Sequence, residues 1–150
     1  MKILFRLVLI VYLILITSCT SGRLAVEPSQ LNIDNPDAAT VIVLRESQIR
    51  GGGGNFEILL DAELIAYLGS GDGVKFQVEP GSHFIATGLS IQIFRNQGER
   101  VIRFNAEPNK TYYFYFNMRG GDKMYNFVQL SETKGKKALA EHEYNFLKSQ

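Results

Sequence analysis

The sequence predicts a mainly β fold: a single antiparallel β-sandwich of about seven to nine short strands with a C-terminal α-helix. First, apolar and polar side chains alternate with a period of two over most of the chain after residue 38. Second, glycine-rich or polar turns separate the alternating runs at intervals of about ten residues, which is typical of sandwiches and barrels. Third, residues 136–148 lack glycine and proline and carry apolar side chains at helical spacing. The apolar stripe of this predicted helix consists of Leu139, Ala140, Tyr144 and Leu147.

The strands can be placed individually from the alternation. The first, Ala39–Arg45, is apolar enough to be central in a sheet. A later run, Thr111–Asn117, is aromatic on both faces, which also favours a central strand covered on both sides. Residues 61–62 form a turn that would join two strands in a hairpin. The other alternating runs are Phe56–Leu60, 64–68, 74–78, 82–86, 89–95, 102–106 and 124–130.

The overall composition excludes several classes of protein. The 16 Lys and Arg residues nearly balance the 15 Asp and Glu residues, so the chain lacks the basic charge of a nucleic-acid-binding protein. A hydrophobic content of 45% argues against wholesale disorder. The single cysteine, Cys19, excludes an internal disulfide and a thiolate-rich metal site.

The start of the chain predicts a cleaved signal peptide over residues 1–18. Lys2 and Arg6 form a positively charged beginning, and residues 7–16 are an unbroken apolar run. Such a run of about ten residues spans about 15 Å as a helix, which is half of the hydrocarbon thickness of a bilayer. The segment therefore fits a secretory signal better than a transmembrane helix.

The residues that follow the apolar run, Ile16-Thr17-Ser18-Cys19, resemble the lipobox of bacterial lipoprotein signal peptides. The resemblance implies that Cys19 is lipidated, carries palmitate-like acyl chains and becomes the mature N-terminus. It also implies attachment to the membrane through this lipid, and Thr20 in the next position favours the outer membrane, facing the periplasm. The alternative is that Cys19 is only a small residue at an ordinary cleavage site.

Residues 19–37 contain turn formers and two prolines without sustained periodicity, so we interpret them as a flexible tether. About 18 flexible residues would hold the folded part roughly 20 to 25 Å from the lipid. The alternative is a short edge strand through Leu31 and Ile33. The folded domain would then comprise residues 38–150.

A second resemblance covers most of the chain after this segment. The opening strand Ala39–Arg45, the sequence VEPGSH at 78–83 and the sequence NKTYY at 109–113 are similar to a family of small bacterial lipoproteins with a transthyretin-like or PEGA-like sandwich. The resemblance implies an immunoglobulin-like β-sandwich and a location in the cell envelope. It implies no reaction.

The motifs that could carry catalysis point to ordinary structural roles. The glycine-rich stretches 51–54 and 69–73 precede strands, whereas a phosphate-binding loop precedes a helix. The two histidines, His83 and His142, lack metal-ligand spacing, and no G-x-S-x-G motif is present. The carboxylates of Asp61 and Glu63 lie at a turn, where carboxylates are usually solvated and do not act as an acid and base. We therefore expect no enzyme activity, no metal and no cofactor.

The aromatic strand and the loop before His83 are the candidate binding features. Tyr113 and Tyr115 share one face of the strand, and exposed tyrosines could stack on a sugar ring or a partner side chain. The alternative is that both tyrosines pack beneath the C-terminal helix. His83 either fixes the turn before it or points into a small cleft.

These observations leave two main hypotheses for the function. The first is a non-catalytic, lipid-anchored envelope protein that presents a sheet face or edge to an envelope protein partner, as an accessory or assembly module. The alternative is a lipoprotein that binds a small ligand such as a glycan or peptidoglycan through Tyr113, Tyr115 and His83. A hydrolase that depends on His83 is a third hypothesis, and no nucleic-acid partner is expected.

Overall fold

The computed structural model describes residues 22–47, 54–89, 100–117 and 126–147. In this part of the chain the fold is mainly β, as predicted, with strands arranged in two five-stranded sheets and a short helix, α1 (Glu132–Glu141), near the C-terminus. A 3-10 helix, Pro28–Leu31, lies between the first two strands. The strands are β1 (Arg23–Leu24), β2 (Ala39–Arg45), β3 (Phe56–Leu60), β4 (Glu63–Leu68), β5 (Asp72–Val78), β6 (Gly81–Leu89), β7 (Arg100–Ala106), β8 (Thr111–Asn117), β9 (Asn126–Leu130) and β10 (Asn145–Phe146).

The first sheet has the strand order β1-β4-β3-β6-β7, and all of its neighbours are antiparallel. The predicted hairpin at residues 61–62 joins β3 to β4. Asp61 and Ala62 have φ angles of 49° and 71°, a left-handed conformation that fits the twist of a two-residue hairpin turn. A register shift between Ile58 and Leu59 marks a bulge in this hairpin.

The second sheet has the order β10-β5-β2-β8-β9 and is mixed. The strand β2 runs parallel to β8, and β10 runs parallel to β5, so the expectation of a wholly antiparallel fold is wrong for this sheet. The physical reason is the path of the chain between β2 and β8. The chain enters the first sheet, returns as β5 and enters the first sheet again, which supplies the long connection that a parallel pair needs.

The inner faces of the two sheets share one hydrophobic core. Alternation along β2 and β8 points one set of side chains inward, and the first sheet contributes the opposing set. The residues of this core that are at most 1% exposed come from both sheets: Ala39, Val41, Val43, Phe56, Ile58, Ala66, Leu68, Val74, Ile85, Phe114 and Phe116. The strand predictions over these residues are confirmed.

The outer face of the second sheet is covered by α1 and by the residues after it. Ile42, Leu44 and Tyr113 form a second apolar cluster against this cover. Helix residues Ala138 and Leu139 pack on the cluster, as do Tyr144, Phe146, Tyr115 and Leu130. The second sheet is therefore buried on both faces, which explains why β2 and β8 are apolar on both faces.

The helix lies earlier than the predicted 136–148. Ser131 caps its N-terminus by accepting a hydrogen bond from the backbone N–H of Lys134, and the helix ends before His142. The chain then extends, and the N–H of Asn145 donates to the carbonyl of Gly71 over 2.9 Å. This pairing with β5 removes Tyr144 and Leu147 from the helix. None of the helices among the described residues is long and apolar enough to cross a membrane.

The segment before β2 is part of the fold, which corrects the expectation of a flexible tether and of a domain that begins at residue 38. The strand β1 pairs with β4, and the N–H of Ala25 donates to the carbonyl of Ile65 over 2.9 Å. Leu31 is 7% exposed and belongs to the shared core. The N–H of Ile33 donates to Oε1 of Gln77 over 3.0 Å. Residues 22–37 therefore pack as part of the fold.

Several predicted features lie outside the described residues. These are the signal peptide and Cys19, the glycines at 51–53, most of the predicted strand 89–95, and residues 124–125 of the last predicted strand.

Candidate functional site

His83 joins two turns at one end of the fold. It lies on the inward side of β6, opposite Phe104 of β7. Its Nδ1 is 2.6 Å from Oδ2 of Asp61 in the β3–β4 turn, and its Nε2 is 2.8 Å from the carbonyl oxygen of Glu79 before β6. Asp61 is itself held by β6, because its other carboxylate oxygen accepts from the N–H of Phe84 over 2.9 Å. The imidazole therefore ties the two turns together.

The partners of His83 determine its protonation. A carboxylate and a backbone carbonyl both accept hydrogen bonds, so the two ring nitrogens satisfy both partners only when each carries a proton. Burial lowers the pKa of His83, but the hydrogen bonds to Asp61 and to the Glu79 carbonyl, with the negative charges of Asp61 and Glu79, outweigh burial and raise this pKa above its ordinary value. The arrangement favours the imidazolium ion.

A small cleft lies beside His83, between the 3-10 helix and strands β4 and β5. Its volume is about 240 Å³, slightly below the usual range of small-molecule sites. Apolar side chains form most of the lining, and polar groups lie among them; the principal ones are Val26, Leu31, Ile65, Phe76, Glu63 and Gln77. Among the described residues that line the cleft there is no serine, threonine, cysteine or lysine. The cleft could hold a small, largely apolar group.

The two candidate tyrosines lie beneath the C-terminal segment rather than on an open surface. Tyr113 is 5% exposed, and α1 passes directly over its ring. Tyr115 is half-buried in the same apolar cluster. Burial raises the pKa of Tyr144, and the neighbouring Tyr115 raises it further. The structure therefore agrees with the alternative in which both tyrosines pack beneath the C-terminal segment, and it does not bring these residues together with His83.

A buried arginine at the opposite end of the fold was missed as a candidate. Arg45 is 2% exposed, and its Nη1 donates to the carbonyls of Gly54 and Leu68 over 2.5 and 2.6 Å. Its guanidinium lies 4.8 Å from the ring centroid of Phe56. Burial lowers the pKa of Arg45 to about 10, although the negative charge of Asp72 opposes this effect. Arg45 continues the inward period of β2, a signal that the sequence did contain.

Asp72, also missed, connects three separate segments at this end. It is 4% exposed, and its Oδ2 accepts from the N–H groups of Gly22 and Gly69 over 2.8 and 2.7 Å. Its Oδ1 accepts from Nδ2 of Asn145 over 3.3 Å. One carboxylate thus holds Gly22, the β4–β5 turn and β10 in place. This role depends on contacts between distant parts of the chain, so no local sequence motif predicts it.

The outer face of the first sheet carries a row of apolar side chains. The register aligns Leu64 with Leu59, Leu59 with Ala86, and Ala86 with Val101, across four neighbouring strands. Val101, on the edge strand β7, is 52% exposed. The outer face of the second sheet, in contrast, is covered by α1. Leu59 and Leu64 are half-buried and Ala86 is buried, so Val101 is the exposed end of this row.

Comparison with known proteins does not supply a family for this chain: no protein-family model matches it, and no curated protein matches it either.

Proposed function

We propose that this protein is a non-catalytic, lipid-anchored protein of the bacterial cell envelope that binds another envelope protein as an accessory or assembly module. The sequence Ile16-Thr17-Ser18-Cys19 supports the anchor, since it has the form of a lipobox after a charged and then apolar start. Thr20 after the cysteine supports the outer membrane, facing the periplasm. Acyl chains would attach the protein without any basic surface patch.

The observation that carries the protein-binding part of the proposal is the apolar row that ends at Val101. This row crosses four strands of the first sheet. Among the described residues its last strand, β7, lies at the edge of the sheet, and an edge strand can pair with a strand of a partner. Arg103, two residues further along β7, supplies a charge that discourages non-specific pairing at this edge. A partner would therefore cover the row and contact the edge.

We also propose a more specific fold than the two β-sheets alone establish. Two sheets that face each other across a shared core support a transthyretin-like or PEGA-like β-sandwich. The mixed second sheet and the helix on its outer face are additions to that pattern.

Photo-crosslinking in intact cells tests the binding face. A photoreactive amino acid in place of Val101 should give a discrete adduct with one envelope protein. The same residue in place of Lys137, which is exposed on α1, is the matched control and should give none. The adduct should disappear with Cys19→Ser, because the protein would no longer be retained at the membrane. No adduct at Val101, or equal adducts at both positions, would contradict the proposal.

The cleft beside His83 favours a second candidate function, the binding of a small envelope ligand such as a peptidoglycan fragment. Gln77 and Glu63 are among the polar groups on a mostly apolar lining. Titration of the chain from Thr20 onward with muropeptides, followed by NMR, tests this candidate. Saturable shifts centred on Gln77 and His83 that are lost with Gln77→Ala would place ligand binding first. Unchanged spectra would remove this candidate.

A further inference from the structure

The junction between the anchor and the fold is very short. Only Thr20 and Ser21 separate Cys19 from Gly22, whose N–H donates to Oδ2 of the buried Asp72. A fully extended chain advances by at most about 3.6 Å per residue, so these three steps reach about 11 Å.

Gly22 is fixed by more than one contact. The next residues, Arg23 and Leu24, pair with Tyr67 and Ala66 of β4. A side chain has no space at position 22, because a Cβ atom there would lie 2.2 Å from Oδ2 of Asp72 and 2.6 Å from the carbonyl oxygen of Tyr67. The glycine allows the chain to approach the fold this closely. Gly22 therefore has a defined position at the Asp72 end of the fold.

The two ends of the fold are separated by the length of a strand. The strand β5 begins at Asp72 and ends at Val78, beside Glu79, whose carbonyl oxygen contacts His83 of β6. At about 3.3 Å per residue, this strand spans about 20 Å.

We infer that the lipid anchor holds the Asp72 end of the fold directly against the membrane surface, with no flexible spacer, and that the His83 end points away from the membrane. The inference rests on the lipidation in the proposed function. It also defines the geometry of partner binding, because β7 runs between the two ends. A partner on the face that contains Val101 would then meet the protein beside the membrane surface rather than at a distance from it.

Short-range fluorescence quenching measures this orientation. Ser47 is exposed at the Asp72 end and Ser82 is exposed at the His83 end, so Ser47→Cys and Ser82→Cys form a matched pair. Each would carry a bimane label on the full-length lipidated protein, in vesicles that contain a lipid with a nitroxide on its headgroup. The acylated Cys19 has no free thiol and does not react with the label. We expect at least about threefold more quenching at position 47, since the strand length of about 20 Å exceeds the contact range of the quencher.

A spacer variant provides the control. About twelve Gly and Ser residues inserted between Ser21 and Gly22 would add a mean reach of about 20 Å and should reduce quenching at position 47 to the level at position 82. Equal, weak quenching at both positions of the original protein, or no effect of the spacer, would overturn the inference. Mass spectrometry of the N-terminal peptide separates this failure from that of the proposed function. A peptide without acyl chains would overturn the lipidation itself.

Discussion

Gly135 determines how closely α1 lies against the second sheet. A Cβ atom at this position would be 2.1 Å from Cγ of Tyr113, far inside van der Waals contact. Glycine is otherwise unfavourable in a helix by about 1 kcal/mol relative to alanine. The fold accepts this cost because the glycine lets the helix cover the tyrosine ring.

Gly135→Ala should therefore destabilise the protein although alanine is the better helix former. Overpacking of a well-filled site costs about 1 to 3 kcal/mol, which exceeds the gain in helix propensity. Urea denaturation measures the change. Thr133→Ala, at an exposed position of the same helix, is the control and should be neutral or slightly stabilising. A stabilised Gly135→Ala variant would show that the helix is not held against Tyr113.

His83 should make the stability of the protein depend on pH. Its pKa is raised in the folded state, so its contribution is fully present below the unfolded-state pKa of about 6.5 and is lost as pH rises through the folded-state value. The free energy of unfolding should fall as pH is raised from about 6.5. The charged groups near the imidazole are Asp61, Glu79, Glu63 and Arg103.

Denaturation at several pH values, with Asp61→Asn for comparison, measures this dependence. The variant keeps an oxygen acceptor at position 61 but removes its negative charge, so it should be less stable at pH 6, by about 1 kcal/mol, and should show a flatter profile between pH 6 and 8. Identical pH profiles for the two proteins would mean that the imidazolium–carboxylate pair contributes nothing to stability.

The sequence was sufficient to predict on which face of a strand a side chain lies, but not which distant residues it contacts. Alternation placed Tyr113 and Tyr115 on one face of β8 and Phe114 on the other, and the structure has them in the two separate apolar clusters. It could not show that Asp61 reaches His83, 22 residues away, since that contact depends on which turns meet at one end of the sheets. The roles of Asp72 and Arg45 were hidden for the same reason.

At the scale of elements, the carboxylate of Asp72 holds β1, the β4–β5 turn and β10 together. Asp72→Ala would leave the N–H groups of Gly22 and Gly69 without this acceptor and would remove the negative charge near the buried Arg45. We expect a loss of about 3 kcal/mol, because hydrogen bonds to a charged group and compensation of a buried charge are both removed. Chemical denaturation measures the loss. Asp34→Ala, at an exposed aspartate away from these contacts, is a suitable control and should change stability little.

The C-terminal helix lies earlier in the chain than its helix propensity predicted. The absence of glycine and proline after residue 135 favoured a helix over 136–148. Tertiary contacts determine where the helix begins and ends. Gly135 is needed inside the helix for contact with Tyr113, and the pairing of β10 with β5 extends the chain after His142. The predicted period-two runs that lie among the described residues coincide with strands, because burial of one face dictates their pattern directly.

At the scale of the whole molecule, residues 22–37 belong to the fold. Their prolines and turn formers resembled a linker, but two residues of β1 and the buried Leu31 are sufficient to attach them. Short elements of this length leave no periodicity in the sequence. The parallel pairing of β2 with β8 was equally invisible, since it depends on the order in which the chain visits the two sheets.

Truncation tests the attachment of this segment. A chain that starts at Ala38 should be less stable than one that starts at Thr20 by at least about 2 kcal/mol, because it lacks the buried side chain of Leu31 and the pairing of β1. Both chains would be compared by urea denaturation in the same buffer. Equal stabilities would restore the interpretation of this segment as a tether.

The most direct test of the central claim, that the protein is anchored in the envelope by a lipid, is the mass of the N-terminal peptide of the protein purified from bacterial membranes. We expect a peptide that begins at Cys19 and carries acyl chains on it. With Cys19→Ser we expect no acylated peptide and no membrane retention. An unmodified N-terminus in membrane-purified protein, or unchanged membrane recovery of the Cys19→Ser variant, would contradict the account.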